Sequence, residues 1–170
     1  GGSDVKKGAA LFAGRHPETT VTYDAAHHGA IVLKRRFEGD PQWSEYIGRL
    51  GQVKSRVRQT IDAFMASPSL RPKARYMNLE SLLKWSRRIL DLLDRDASGS
   101  SHASGRAELR YGWLRDYRTA IGKWSRWEAT VRASVSYVRT RGLSVDSESG
   151  LHEHLSEVPP GLYDETLATE

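Results

Sequence analysis

From Pro41 onward, apolar residues recur every three or four positions. Trp43, Tyr46, Leu50, Val53, Val57 and Phe64 form one seam, broken at Thr60 and widened by Ile47 and Ile61. That spacing predicts an amphipathic helix over about 41–66, with Arg49, Lys54, Arg56 and Arg58 mostly off the apolar stripe. Leu79, Leu82, Leu83, Ile89, Leu90 and Leu93 predict a second helix that starts at a capping Asn78 and ends near Leu93. Lys84, Arg87 and Arg88 line another of its faces. Leu114, Tyr117, Ile121, Trp124, Val131, Val135 and Val138 predict a third, over about 106–139. Gly112 and Gly122 weaken its continuity by about 1 kcal/mol each relative to Ala.

Punctuation residues bound these elements. Asp40-Pro41 is a start signal, with an acidic N-cap and Pro at the first helical position. Gly142 is a stop. The Pro-rich run 67–72 and the Gly/Ser-rich run 95–105 are links. Upstream, Ser3 caps a short helix through Phe12, stopped by Gly14 and Pro17. A β-prone run follows at 19–23, then a helix at 26–38. A short helix at 147–156 precedes a tail that begins at Pro159. The expected fold is mainly α: an antiparallel bundle of three long helices with one short strand near the N-terminus. A lone strand cannot satisfy its own backbone, so the chain reads as a piece of something larger whose sheet lies elsewhere. The five tryptophans track the apolar seams and belong to the core, with Trp127 the one expected to be partly exposed.

Charge changes the picture once it is divided along the chain. The 170 residues hold 26 Lys and Arg against 21 Asp and Glu. Seven of the acids (Asp146, Glu148, Glu153, Glu157, Asp164, Glu165 and Glu170) fall in 144–170, which has no Lys or Arg, so residues 1–143 carry a net +12. A helical body this basic attracts polyanions, nucleic acid above all; the plain alternative is a solvated basic surface. Cysteine is absent, which excludes disulfides, thiolate metal sites and thiol catalysis and fits a cytoplasmic protein. No apolar run approaches the roughly 18–20 residues that span a bilayer, so no membrane partner is expected. No secretory signal pattern opens the chain, and neither a Gly-rich nucleotide loop nor HExxH occurs.

Two clusters carry candidate chemistry. Asp24 and His27 stand where the β-prone run meets a helix, a place where α/β enzymes put reactive groups. By residue type alone capping is the stronger reading, with Asp24 as N-cap and His27 near the third helical position. Adjacent residues on a helix point about 100° apart, so neither Asp24, His27 and His28 nor His152-Glu153-His154 converges as a metal triad, and no metal site is expected. Arg71, Lys73, Arg75 and Tyr76 form a basic cluster beside two prolines. Arg forks suit phosphate oxygens, Tyr76 suits packing on sugar or base, and Lys84, Arg87 and Arg88 extend the basic surface. The plain reading of the cluster is a solvated interhelical loop.

The stretch GGSDVKKGAALFAGRHPETTVTYDAAHHGAIVLKRRFEGDPQWSEYI, with RPKARYMNLESLLKW and more loosely YGWLRDYRTAIGKW, resembles the central part of bacterial insertion-sequence transposases with an RNase H-like DDE core. The resemblance implies a partial core segment at 1–39, a basic helical insertion at 40–142, and an acidic short helix and tail at 143–170. It implies that Asp24 and His27 match the family's Asp-x-x-His element. It also implies a parent that uses two Mg²⁺ ions for strand transfer, binds transposon-end DNA and can form a homo-oligomer. With Asp24 the one acid in such a context, the chain itself would be inactive and need no cofactor. The alternative is a stand-alone basic helical module that binds an acidic protein or nucleic acid without catalysis, or whose own acidic tail folds back on it.

Overall fold

The computed structural model describes residues 3–17, 24–60, 62–70, 76, 78–95, 102–142, 147–157 and 164. The described chain is mainly α. Its helices are α1 (Ser3–Arg15), α2 (Ala25–Glu38), α3 (Pro41–Val57), α4 (Leu79–Arg95), α5 (His102–Tyr111), α6 (Arg118–Arg141) and α7 (Ser147–Ser156), with 3₁₀ segments at Ala63–Met65 and Gly112–Tyr117. The β-prone run at 19–23 lies outside the described residues.

Local signals set most helix ends. The Asp24 carboxylate accepts the Ala26 N–H at 3.1 Å and caps α2. Asp40 accepts the Gln42 N–H at 3.1 Å and caps α3, with Pro41 in its first turn. Gly142 closes α6 at φ +78°, a left-handed conformation that favours glycine, and its N–H bonds to the Val138 carbonyl at 2.9 Å.

Helix α6 is the spine. Helices α2, α4 and α7 all pack along it. Helix α4 runs antiparallel to α6: Asp94 pairs with Arg118 at one end, and Glu80 approaches Arg132 at the other. Helix α2 is antiparallel too, with Phe37 near Trp124 and Trp127 and Gly29 against Val131 and Val135. The centre is aromatic. Phe37 meets Trp43 edge-on at 4.4 Å between ring centroids, Trp43 meets Trp124 edge-on at 5.0 Å, and Tyr46 lies 5.2 Å from Trp124. Tyr46 is sealed inside, its hydroxyl 2.7 Å from Ser86 Oγ, and burial pushes its ionisation well up. Helix α4 turns Leu79, Leu82, Leu83, Ile89, Leu90 and Leu93 into this core.

Three sequence expectations are corrected here. The helix expected to reach 66 stops at Val57. Thr60 Oγ1 donates to the Val57 carbonyl at 2.8 Å and accepts the Asp62 N–H at 3.2 Å, replacing the helical ladder with side-chain bonds. Beyond this turn Asp62 is buried and held by Arg110 Nε at 3.3 Å, with Arg106 Nε 3.0 Å from its other oxygen. Phe64, read as part of the seam, is 74% exposed as a result. The helix expected over 106–139 is broken by the tighter 3₁₀ segment. There Trp113 Nε1 donates to the Arg110 carbonyl at 3.0 Å, and Arg115 donates to the Leu93 carbonyl near the end of α4 at 3.1 Å. Trp127 is buried, because α2 brings Phe37 edge-on against it at 5.5 Å.

Gly29 marks the closest approach of α2 to α6. A Cβ there would stand 2.7 Å from Val131 Cγ1 and 2.8 Å from Val135 Cγ2. Both neighbours are stiff β-branched side chains. Gly29→Ala gains about 1 kcal/mol of helix propensity but forces the helices apart, at about 1–3 kcal/mol. A net loss of stability is expected in urea unfolding. A variant clearly more stable than the parent chain would rule out this crossing.

Candidate nucleic-acid interface

Antiparallel packing of α4 on α6 leaves an open groove along their outer edges. It has a volume of about 520 Å³ and is lined by Lys84, Arg87, Arg88, Leu90, Asp91, Arg118, Ile121 and Gly122. Leu90 and Ile121 are buried and form its floor. Gly122 leaves the α6 backbone open: a Cβ there would meet nothing nearer than Arg126 Nη1, at 3.9 Å.

Four cations face one carboxylate in this lining, and their pairing differs. Arg118 forks onto Asp94 with bonds of 2.9 and 2.6 Å, and this bidentate contact holds the Asp94 carboxyl below its usual range. Lys84 pairs with Glu80 at 2.6 Å, one turn back on α4, and lowers the Glu80 carboxyl as well. Arg87 and Arg88 are exposed, and neither has an ion pair among the described residues. They are the two charges most available to a ligand. At the far end of α4, Arg132 lies 3.1 Å from Glu128 and 3.8 Å from Glu80, so a four-charge network ties α4 to α6. Glu128 sits almost fully within it; burial raises its carboxyl against the opposing pull of Arg132.

The expected site residues fall in three places. Lys84, Arg87 and Arg88 come together in the groove. Arg71, Lys73 and Arg75 lie outside the described residues. Tyr76 is half-buried on the core side, with its hydroxyl 3.2 Å from Glu38 Oε1 and its ring 6.2 Å from Phe37. Asp24 and His27 sit exposed at the start of α2. The α2–α6 register places that end toward the C-terminal half of α6, away from the groove. One Asp24 oxygen is engaged in capping, and no three His, Asp or Glu converge as metal ligands among the described residues. No described helix is long and apolar enough to cross a membrane.

Sequence reasoning missed Arg118, Asp91 and Gly122. Asp91 carries a faint signal, since it lies four residues after Arg87 and three after Arg88 on α4 and so shares their face. Arg118 and Gly122 carry none, because their place depends on how two distant helices pair. Comparison with known proteins finds no matching family model, curated relative or solved structure.

Proposed function

We propose that this chain binds DNA through the α4–α6 groove, as the basic helical part of an RNase H-like transposase that holds transposon ends and meets a second copy of itself. The observation that carries this reading is the pair of exposed, uncommitted guanidinium groups of Arg87 and Arg88, set between Lys84 and Arg118 over an open groove. Planar guanidinium forks suit phosphate oxygens, and the net +12 of residues 1–143 supplies the long-range field. The chain acts without catalysis of its own. In this reading the chain contributes DNA binding and scaffolding, and metal-dependent strand transfer is the work of the parent enzyme as a whole. Asp24 and His27 are the part of this chain nearest in pattern to that chemistry.

The test is fluorescence anisotropy with a generic duplex across a salt series. Each phosphate neutralised lowers log K by about 0.9 per decade of salt, so the groove contributes a slope between about −2 and −4 for two to four engaged cations. Affinity should be similar for unrelated sequences of one length. Absence of binding at low salt would sink the proposal, and salt-insensitive binding would point to a protein partner instead.

A further inference from the structure

One member of the groove does not suit a surface made for phosphate alone. Asp91 is exposed in the lining, on the same face of α4 as Arg87 and Arg88. Its carboxylate makes no ion pair among the described residues. Arg118 gives its hydrogen bonds to Asp94, and Asp91 acts on it only at a distance.

Helix register sets what Asp91 faces. Asp94 on α4 meets Arg118 on α6, so one turn farther in Asp91 comes level with Gly122. Gly122 presents bare backbone to the groove. A Cβ there would meet nothing nearer than Arg126 Nη1 at 3.9 Å, which leaves room for a flat ring with a guanidinium at its margin. Buried Leu90 and Ile121 close the space below. The groove thus combines cations for phosphate, an apolar floor with a gap at Gly122, and a carboxylate.

A carboxylate accepts hydrogen bonds and donates none, and it repels phosphate. The groups of DNA that suit it are the N–H donors of the bases. Guanine carries two side by side on its Watson–Crick edge, N1–H and the N2 amino group, and they match the two carboxylate oxygens. Thymine flanks its N3–H with carbonyl oxygens, which a carboxylate repels. Pairing hides these edges in a duplex, so only an unpaired nucleotide offers them.

We propose that the groove reads an unpaired guanine. Asp91 accepts its N1–H and N2–H, the ring lies over Gly122, and Arg87 and Arg88 hold the neighbouring phosphates. The inference rests on the groove reading and adds a base contact to it. Duplex binding stays indifferent to sequence, and a duplex that ends in a single strand with guanine is preferred.

The probe for the full chain is a duplex with a short thymidine overhang. One overhang position is thymine, guanine or inosine, which lacks the N2 amino group. By anisotropy the guanine overhang should bind about 5- to 30-fold tighter than the all-thymine one, as a bidentate base contact provides, with inosine between them. Asp91→Ala, at an exposed helix position that alanine suits, should erase these differences. Its affinity for the all-thymine overhang should be no weaker than the parent's, because a repelling charge is gone. Equal binding of the three overhangs by the parent chain, with duplex binding still weakened by Arg87→Glu/Arg88→Glu, overturns the base contact and leaves the groove standing. A guanine preference that survives Asp91→Ala overturns the role of Asp91. If neither plain duplex nor any overhang binds, both readings fall.

Discussion

Asp40→Ala should lower the unfolding free energy by about 2–4 kcal/mol, a large loss for one polar side chain. Its carboxylate caps α3 through the Gln42 N–H at 3.1 Å. Its other oxygen accepts Trp124 Nε1 at 2.8 Å and Lys123 Nζ at 2.7 Å. Losing the cap costs about 1 kcal/mol. The indole of Trp124, with no exposed surface, would keep an unpaired donor in the core, at about 1–3 kcal/mol. Lys123 is partly exposed and swings to water at little cost.

For a domain of this length the melting temperature should fall by roughly 4–16 °C. Asp40→Asn has one acceptor oxygen for two demands and should fall in between. Asp24→Ala removes the same kind of cap from an exposed helix end and should cost about 1 kcal/mol or less. Burial acts to raise the Asp40 carboxyl, but the bonds from Lys123 and Trp124 outweigh it and hold it below 3.8. Its contribution is therefore complete above that ordinary value and is lost as pH falls through the lowered one. The gap between parent chain and Asp40→Asn should close only in acid. An Asp40→Ala chain that melts with the parent would show that the carboxylate is not in this position.

Arg87→Glu/Arg88→Glu should weaken duplex binding roughly 10- to 100-fold at low salt, while stability stays within the change expected for exposed residues, about 0.5 kcal/mol. Neither arginine contributes an ion pair among the described residues and both are exposed, so their charge has only a small part in the fold, Arg87 acting at a distance on the Glu80 carboxyl. The alanine pair should make the salt slope shallower by about 2, because each arginine removed leaves one phosphate with its counterion still condensed. The glutamates add repulsion and should act more strongly. Arg71/Lys73/Arg75→Ala is the contrasting variant. If it abolishes binding while the glutamate pair leaves it intact, the ligand follows the segment before α4 and not the groove.

Several helix ends were readable from bonds that span a few residues, although the equally local Thr60 bonds that stop α3 at Val57 were not. Asp40-Pro41 announced α3, Gly142 closed α6, and the short helix at 147–156 has the bounds expected of it. The apolar stripe of α4 was legible for the same reason, since one helical period decides which side chains share a face. Capping of α2 by Asp24 was one of two readings open at that position, and the structure shows that bond. The exposure of Phe64 was not readable, and Gly112 signalled a weak point in the third helix but not the 3₁₀ segment that replaces it. Their surroundings depend on Asp62 meeting Arg110, 48 positions away, and on Arg115 reaching back 22 positions to Leu93.

The chain's helical character, its basic body with an acidic end, and the side of α4 that holds Lys84, Arg87 and Arg88 follow from local periodicity and composition, which need no partner to be defined. The groove itself, the burial of Trp127, the bond from Trp124 to a carboxylate 84 residues away, and the seat of Asp164 on α6 were decided only by tertiary packing. Each is a meeting of side chains from separate segments. Their register is set by the whole core, with Gly29 permitting the close α2 crossing and the Asp94–Arg118 and Glu80–Arg132 contacts aligning α4.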